Sequence, residues 1–468
     1  MTANYFPTVK KIVITMILAT VAVGLRAQTA AEAQSLFARG EYAEALPALL
    51  EEAKAKPRNA AAQHMAGIAL LRTGRHAEAR RFLAKGTNDS KIGLAEIAFL
   101  EYDFDGADEH LDAYEKGLKR GRRKAAEPSA EAEALRERIE RGRNMMERVE
   151  QLTVIDSIAV CRDDFFRIYR LSKAAGRLVG AEALFAGSGA VEGLPAYVTE
   201  NGDIAIWSAP DDNENYTLRQ TIRLDDGSWD DARPLGDALG EGGDAAYPFL
   251  MSDGVTLYFA NDGENSLGGY DIFMTRNNGE EYLQPQNIGM PYNSPYDDYM
   301  LAIDEESGTG WWATDRNRLG DSLTVYRFIP AEMRVNYPAD TAGLASLAMI
   351  RDFSATQQPG ADYSNLLARP SGSEADNDAA AFTIAIGSKI YHNLNDFRTG
   401  RGRTLMTQII GSRRKLESTL EDLRRMRARY GRGDKGLAQQ IMHAEAEAAA
   451  LRQEIRRLTD ELAITENN

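Results

Sequence analysis

The second half of the chain gathers carboxylates into short turns: Asp253-Gly254, Asp262-Gly263-Glu264-Asn265 and Asp271. Hard oxygen ligands at such spacing suit calcium, so Asp262 and Asp271 are the candidate metal ligands. The same turns have a simpler explanation, because Asp and Gly are what tight hairpins demand. Acids in this number also supply the pairs that glycoside cleavage needs. A hydrolase or lyase acting through these carboxylates is therefore the alternative to a non-catalytic reading. Other chemistries find little footing. The histidines His64, His76, His110, His392 and His443 are scattered without metal spacing. Gly187-Ser188-Gly189 lacks the spacing of a hydrolase nucleophile. No phosphate-binding glycine loop is present. The single cysteine, Cys161, lies in the apolar run Ile158-Ala159-Val160 and reads as a small buried hydrophobe. The expectation is a binding protein with no catalytic residues and no cofactor beyond possible calcium. Trp207, Trp229, Tyr270, Tyr296, Tyr299, Trp311 and Trp312 serve either as core or as stacking surfaces for sugars and peptides.

These turns belong to a repeat. Tyr247-Pro-Phe-Leu-Met-Ser-Asp-Gly-Val-Thr-Leu-Tyr-Phe-Ala-Asn-Asp262 returns as Tyr299 to Asp315, with Phe259-Ala260-Asn261-Asp262 over Trp312-Ala313-Thr314-Asp315, 53 residues on. Repetition at this period with short strands predicts β-propeller blades. Three are legible, from about Pro195 to Gly236, Tyr247 to Gly289 and Tyr299 to Pro330. Three do not close a ring. The expected fourth contributor is Leu152–Val160 with Phe165–Leu171, both read as strands, and Phe382–Ile386 is a further candidate.

Helical patterning precedes the strands. Gly40, Tyr42, Ala45, Leu49 and Pro57 follow the order of a tetratricopeptide repeat, and Gly74, His76, Ala79 and Leu83 recur 34 residues later. A degenerate third copy is visible at Phe104-Asp-Gly-Ala107 and Leu111. A helix with Leu135, Ile139, Met146 and Val149 on one face leads to the strands. At the far end Ile409, Leu416, Leu423, Tyr430, Leu437, Ala444, Leu451 and Leu458 are spaced by sevens. The second heptad line (Leu420, Ile441, Ala448, Ile455, Leu462) breaks at Arg427 and Asp434, beside Gly431, Gly433 and Gly436. Two helices folding back on each other explain the break, and an intermolecular coiled coil is the other reading. At the N-terminus Lys10 and Lys11 precede an apolar stretch, Ile12–Gly24, too short to span a bilayer and followed by Leu25-Arg26-Ala27; this reads as a cleaved export signal. No cysteine follows it, so no lipoprotein anchor is expected, nor an integral membrane span. The expected organisation is a signal over 1–27, a helical solenoid over 28–150, a WD-like propeller over 151–335, a linker with a short strand over 336–403, and a helical hairpin over 404–464.

The net charge of −15 is uneven: residues 190–330 hold 26 acids and 7 bases, a net of −19. An acidic propeller argues against nucleic acid and anionic lipid as its ligands.

The Tyr247–Gly263 stretch followed by Gly268-Gly-Tyr-Asp-Ile-Phe273 resembles the TolB-type, WD-like propeller repeat of bacterial envelope proteins. With the tetratricopeptide-like helices, the stretch Asn144-Met-Met-Glu-Arg-Val-Glu-Gln-Leu-Thr-Val-Ile-Asp-Ser157 and the C-terminal hairpin, nearly the whole chain is similar to a family of exported proteins from Bacteroidota. The resemblance implies a periplasmic or outer-membrane-associated scaffold that holds envelope proteins or peptides through a solenoid groove and a propeller face. It also implies an association with secretion or motility machinery. Some relatives carry an OmpA-like domain, and this chain has no such signature. The C-terminal helices add a possible route to self-association.

Overall fold

The computed structural model describes residues 30–120, 127–181, 193–240, 242–319, 322–368, 384–386, 389–391, 397–431 and 435–467. The residues read as an export signal, the Pro370–Asp378 stretch and Phe382–Thr383 lie outside them. The chain divides into two compact units, Met1–Glu140 and Arg141–Asn468.

The first unit is helical: α1 (Ala30–Ala38), α2 (Tyr42–Ala55), α3 (Ala60–Arg72), α4 (His76–Leu83), α5 (Ser90–Leu100) and α6 (Phe104–Arg120), with α7 (Ala130–Met146) running across the division. The repeated small residues let paired helices approach: Ala45, Ala79 and Ala107 are each wholly buried, and Leu49, Leu83 and Leu111 fill the grooves beside them. Each pair turns on the same device. Gly40 and Gly74 adopt left-handed φ of 80° and 78°, and the next residue donates its N–H to a carbonyl five residues back, Glu41 to Leu36 and Arg75 to Leu70. This is the helix-ending geometry that glycine favours. The third copy makes the same bonds, Tyr102 N–H to Phe99 and Asp103 N–H to Ala98, but Tyr102 occupies the glycine position at φ 63°.

Among its described residues the second unit holds three large antiparallel sheets and one of two strands. Sheet one joins β2 (Arg177–Gly180), β3 (Pro195–Val198), β4 (Ile204–Pro210), β5 (Tyr216–Ile222) and β6 (Arg233–Pro234) in that order. Sheet two joins β7 (Ala245–Leu250), β8 (Thr256–Asn261), β9 (Asp271–Arg276) and β10 (Gln286–Asn287). Sheet three joins β11 (Asp298–Asp304), β12 (Thr309–Leu319), β13 (Ser322–Ile329) and then β1 (Thr153–Cys161). Strands β3, β4, β7, β11 and β13 are buried at nearly every position, so side chains on both of their faces are covered. On β12 neighbouring tryptophans point to opposite sides: Trp311 enters a core with Phe249, Phe259, Tyr299 and Val325, while Trp312 enters another with Tyr292, Tyr326, Phe328 and Ile350.

Several expectations are corrected. The Leu152–Val160 strand is not part of a fourth sheet; β1 pairs with β13 from Thr153↔Ile329 to Cys161↔Ser322 and completes the third. No closed ring is present among the described residues. Phe165–Leu171 is not a strand. Arg162–Ile168 forms a 3-10 helix instead, which sends Phe165, Phe166 and Tyr169 to the same core, where a strand would bury only alternate residues. Ile384–Ile386 is β14 and pairs only with β15 (Lys389–Tyr391). The stretch after β13, read as linker, is partly folded: α8 (Leu344–Met349) and a 3-10 turn (Phe353–Thr356) lead Ile350 into the Trp312 core, and Thr356 Oγ1 accepts the Val154 N–H at 2.9 Å. A short α9 (Ser364–Ala368) follows.

The C-terminal helices α10 (Gly400–Gly431) and α11 (Ala438–Asn467) pack antiparallel. Ile409 meets Leu458 and Leu462, and Leu416 and Leu423 meet Ala444, Ala448 and Leu451. The two ends are tied by Glu466, which accepts the backbone N–H of Arg398 at 3.0 Å and of Thr399 at 3.2 Å and the Thr399 hydroxyl at 2.7 Å. No helix among the described residues is long and apolar enough to cross a membrane.

Candidate functional site

Repeated strands place repeated side chains side by side. Both β7 and β11 carry a bulge, where the ladder slips between Ala246 and Phe249 and between Tyr299 and Ala302. The bulges put Tyr247 and Met300, 53 positions apart, in the left-handed region at φ 57° and 55°. Non-glycine residues are forced there only by surrounding packing. The result is that Tyr247 and Tyr299 from neighbouring sheets stack at 4.6 Å and 19°. Tyr270 meets Tyr247 edge-on at 5.8 Å, and Phe165 wedges against Tyr299 at 5.4 Å. Tyr299 is buried, whereas Tyr247 and Tyr270 are half-exposed.

Four aspartates surround these rings through a hydrogen-bond relay that repeats with the sheets. Asp244 accepts the N–H of Tyr216 at 2.7 Å, and its own N–H donates to Asp262 at 2.7 Å. One repeat later Asp297 accepts the N–H of Tyr270 at 3.1 Å, and its own N–H donates to Asp315 at 3.0 Å. Gly269 makes room for the second link, because a Cβ there would stand 2.1 Å from Asp297 Oδ1. Arg162, from the 3-10 helix, donates to the Tyr299 hydroxyl at 3.1 Å and pairs with Asp315 at 3.4 Å. Arg162 thus answers Asp315 and Asp297, while Asp244 and Asp262 hold the first link of the relay.

Charge and burial set the protonation. Burial pushes the Tyr247 phenol up to about 12 and raises those of Tyr270 and Tyr299 as well, so the rings remain neutral hydrogen-bonding groups. Burial, and then the neighbouring charge of Asp315, raises the Asp297 carboxyl above the usual range. Burial lowers the Arg162 guanidinium, but Tyr299, Asp315 and Asp297 outweigh it and the net movement is upward. Half-exposed rings flanked by excess negative charge suit a cation, through ring-face attraction together with ion pairing.

The two residues singled out for calcium have different duties. Asp262 is exposed and belongs to the relay. Asp271 is fully buried and closes its own turn, accepting the N–H of Leu267 at 2.8 Å and of Gly268 at 3.2 Å and the Asn287 amide at 2.6 Å. Burial pushes Asp271 up to about 7. Its neighbour Asp298, also fully buried, is pushed up to about 6 by burial, against the opposing pull of Arg316 at 2.6 Å. Among the described residues no group of three or more His, Cys, Asp or Glu side chains is arranged to hold a metal. Of the aromatics read as core or stacking surface, Trp207, Tyr299, Trp311 and Trp312 are core.

Asp244, Asp297, Arg162 and Tyr247 were not singled out as site residues in the sequence. The signal for two of them was present: Asp244 and Asp297 keep the same 53-residue offset as Asp262 and Asp315. Arg162 had none, because its position depends on the 3-10 helix. No protein-family profile, curated protein or solved structure matches this chain.

Proposed function

We propose that the chain is a non-catalytic scaffold of the cell envelope, in which tetratricopeptide-like helices and a propeller-like array of sheets hold partner proteins. The observation that carries this reading is the tyrosine–carboxylate patch, whose ring faces and excess negative charge would attract a lysine or arginine side chain of a partner. The repeated helix-ending turns support the solenoid assignment, and the 53-residue repeat of strands, bulges and aspartates supports the blade assignment. Envelope localisation rests on the basic and apolar residues from Lys10 to Gly24, and the link to secretion or motility machinery on the family resemblance.

The test is calorimetric titration of the full chain with short lysine- and arginine-containing peptides, beside their glutamate counterparts. Binding of the cationic set is expected. The double variant Asp262→Asn with Asp315→Asn keeps the backbone hydrogen bonds while removing two charges, and should weaken binding by about tenfold, an effect of about 1.4 kcal/mol. Equal affinity for both peptide sets, or an unchanged double variant, would sink the proposal.

A further inference from the structure

A second surface of the sheet unit has the opposite character. An open groove of about 760 Å³ lies where the end of α7 meets β10 and the strand-like segment after β13. It is lined by Arg141, Arg148 and Arg334, and Glu147 is the acid among its lining residues. In a chain of net charge −15 this is a local concentration of positive charge.

The three guanidinium groups are not equivalent. Arg334 is held rigid: it donates to Asn336 Oδ1 at 3.0 Å, to the Ile288 carbonyl at 2.8 Å and to the Arg148 carbonyl at 2.8 Å, with Glu150 3.6 Å away. Arg141 is anchored by one bond, to the Ser266 carbonyl at 2.7 Å. Arg148 is exposed, and among the described residues its guanidinium has no hydrogen-bond or ion-pair partner. A fixed cation beside a free one lowers the ordering cost of capturing a carboxylate.

We propose that this groove docks an extended acidic segment of a partner protein. Arg148 would take a carboxylate through paired N–H donors, and Arg334 and Arg141 would offer the N–H groups they do not use internally. Met145 and Ile288 supply apolar contact for intervening side chains. No aromatic ring lines the groove, so the stacking platform that a uronic-acid glycan would use is missing.

The experiment is fluorescence anisotropy of the full chain with a labelled peptide alternating glutamate and leucine, its lysine counterpart as control, and polygalacturonate and oligothymidylate as competitors. The glutamate peptide should bind, and Arg148→Glu should weaken it at least tenfold, the loss of one charge-assisted hydrogen bond. Arg148→Gln should weaken it less, and serves as the test if the reversal disturbs tryptophan emission. The Asp262→Asn, Asp315→Asn chain should bind it unchanged, which separates this site from the acidic tyrosine–carboxylate patch. No binding, equal binding of the lysine peptide, unchanged affinity in both Arg148 variants, or binding of a competitor in place of the peptide would each overturn the proposal.

Discussion

Replacing Asp271 by Asn should invert the stability of the sheet unit relative to the parent as pH rises. Asp271 is wholly buried and its carboxyl is pushed up to about 7, whereas an unfolded aspartate titrates near 3.9. Between these values the folded chain keeps a proton that the unfolded chain releases. A folded-state pKa raised in this way means stability is greatest at low pH and declines as pH rises through the window. A separation of about three pH units at about 1.36 kcal/mol each sets the loss at roughly 4 kcal/mol. Asn cannot ionise, so the variant escapes that loss. It also turns an amide group towards one donor, most easily the Gly268 N–H at 3.2 Å, at a pH-independent cost of about 1 kcal/mol. The variant should therefore be about 1 kcal/mol less stable than the parent near pH 3.5 and about 3 kcal/mol more stable at pH 8. All four tryptophans, Trp207, Trp229, Trp311 and Trp312, lie in the sheet region, so urea unfolding followed by tryptophan emission reads this unit. A stability difference that stays constant from pH 3.5 to 8, or a parent that gains stability over that range, would refute the reasoning. Asp298, pushed up to about 6, adds pH dependence of the same sign in both proteins.

Two further changes probe the helical parts. Gly74→Ala should lower stability by about 1 kcal/mol, because φ 78° is accessible to glycine and strained for alanine; thermal melting of the 30–140 unit by circular dichroism reads it, and an unchanged melting temperature would contradict the turn assignment. Glu466→Ala removes the acceptor of two backbone N–H groups and a hydroxyl at the start of α10, and should cost roughly 2 kcal/mol. Hydrogen exchange should then rise at Arg398 and Thr399, and unchanged protection there would refute the cap.

Where periodicity alone decides an element, the sequence sufficed. The heptad lines correspond to two long helices, Gly400–Gly431 and Ala438–Asn467, whose apolar seams pack on each other, and the break in the second line falls near the end of the first helix. The offset from Phe259 to Trp312 likewise located equivalent strands. What escaped reading depended on tertiary packing. Tyr102 stands where two earlier copies have glycine; its buried ring, 7% exposed, holds a backbone conformation that its residue type disfavours. Phe165–Leu171 has the composition of a strand but winds into a 3-10 turn, since three of its aromatics share one core. The site was half-legible for the same reason. Asp262 was visible through its turn motif, whereas Arg162 acquires its neighbours only through that turn.

The pairing of β1 with β13 imposes an order of assembly. Thr153 meets Ile329, so β1, made first, stays unpaired until almost the whole sheet region has left the ribosome, while β7 to β10 are contiguous in the chain and complete themselves earlier. Until then β1 has open edges, and a third sheet without β1 would expose the apolar edge of β13, of the kind that recruits foreign strands. Trimming the chain between Leu152 and Cys161 would make that edge permanent, and fragments cut inside this region should aggregate, whereas a cut at the α7–β1 junction leaves the seam intact.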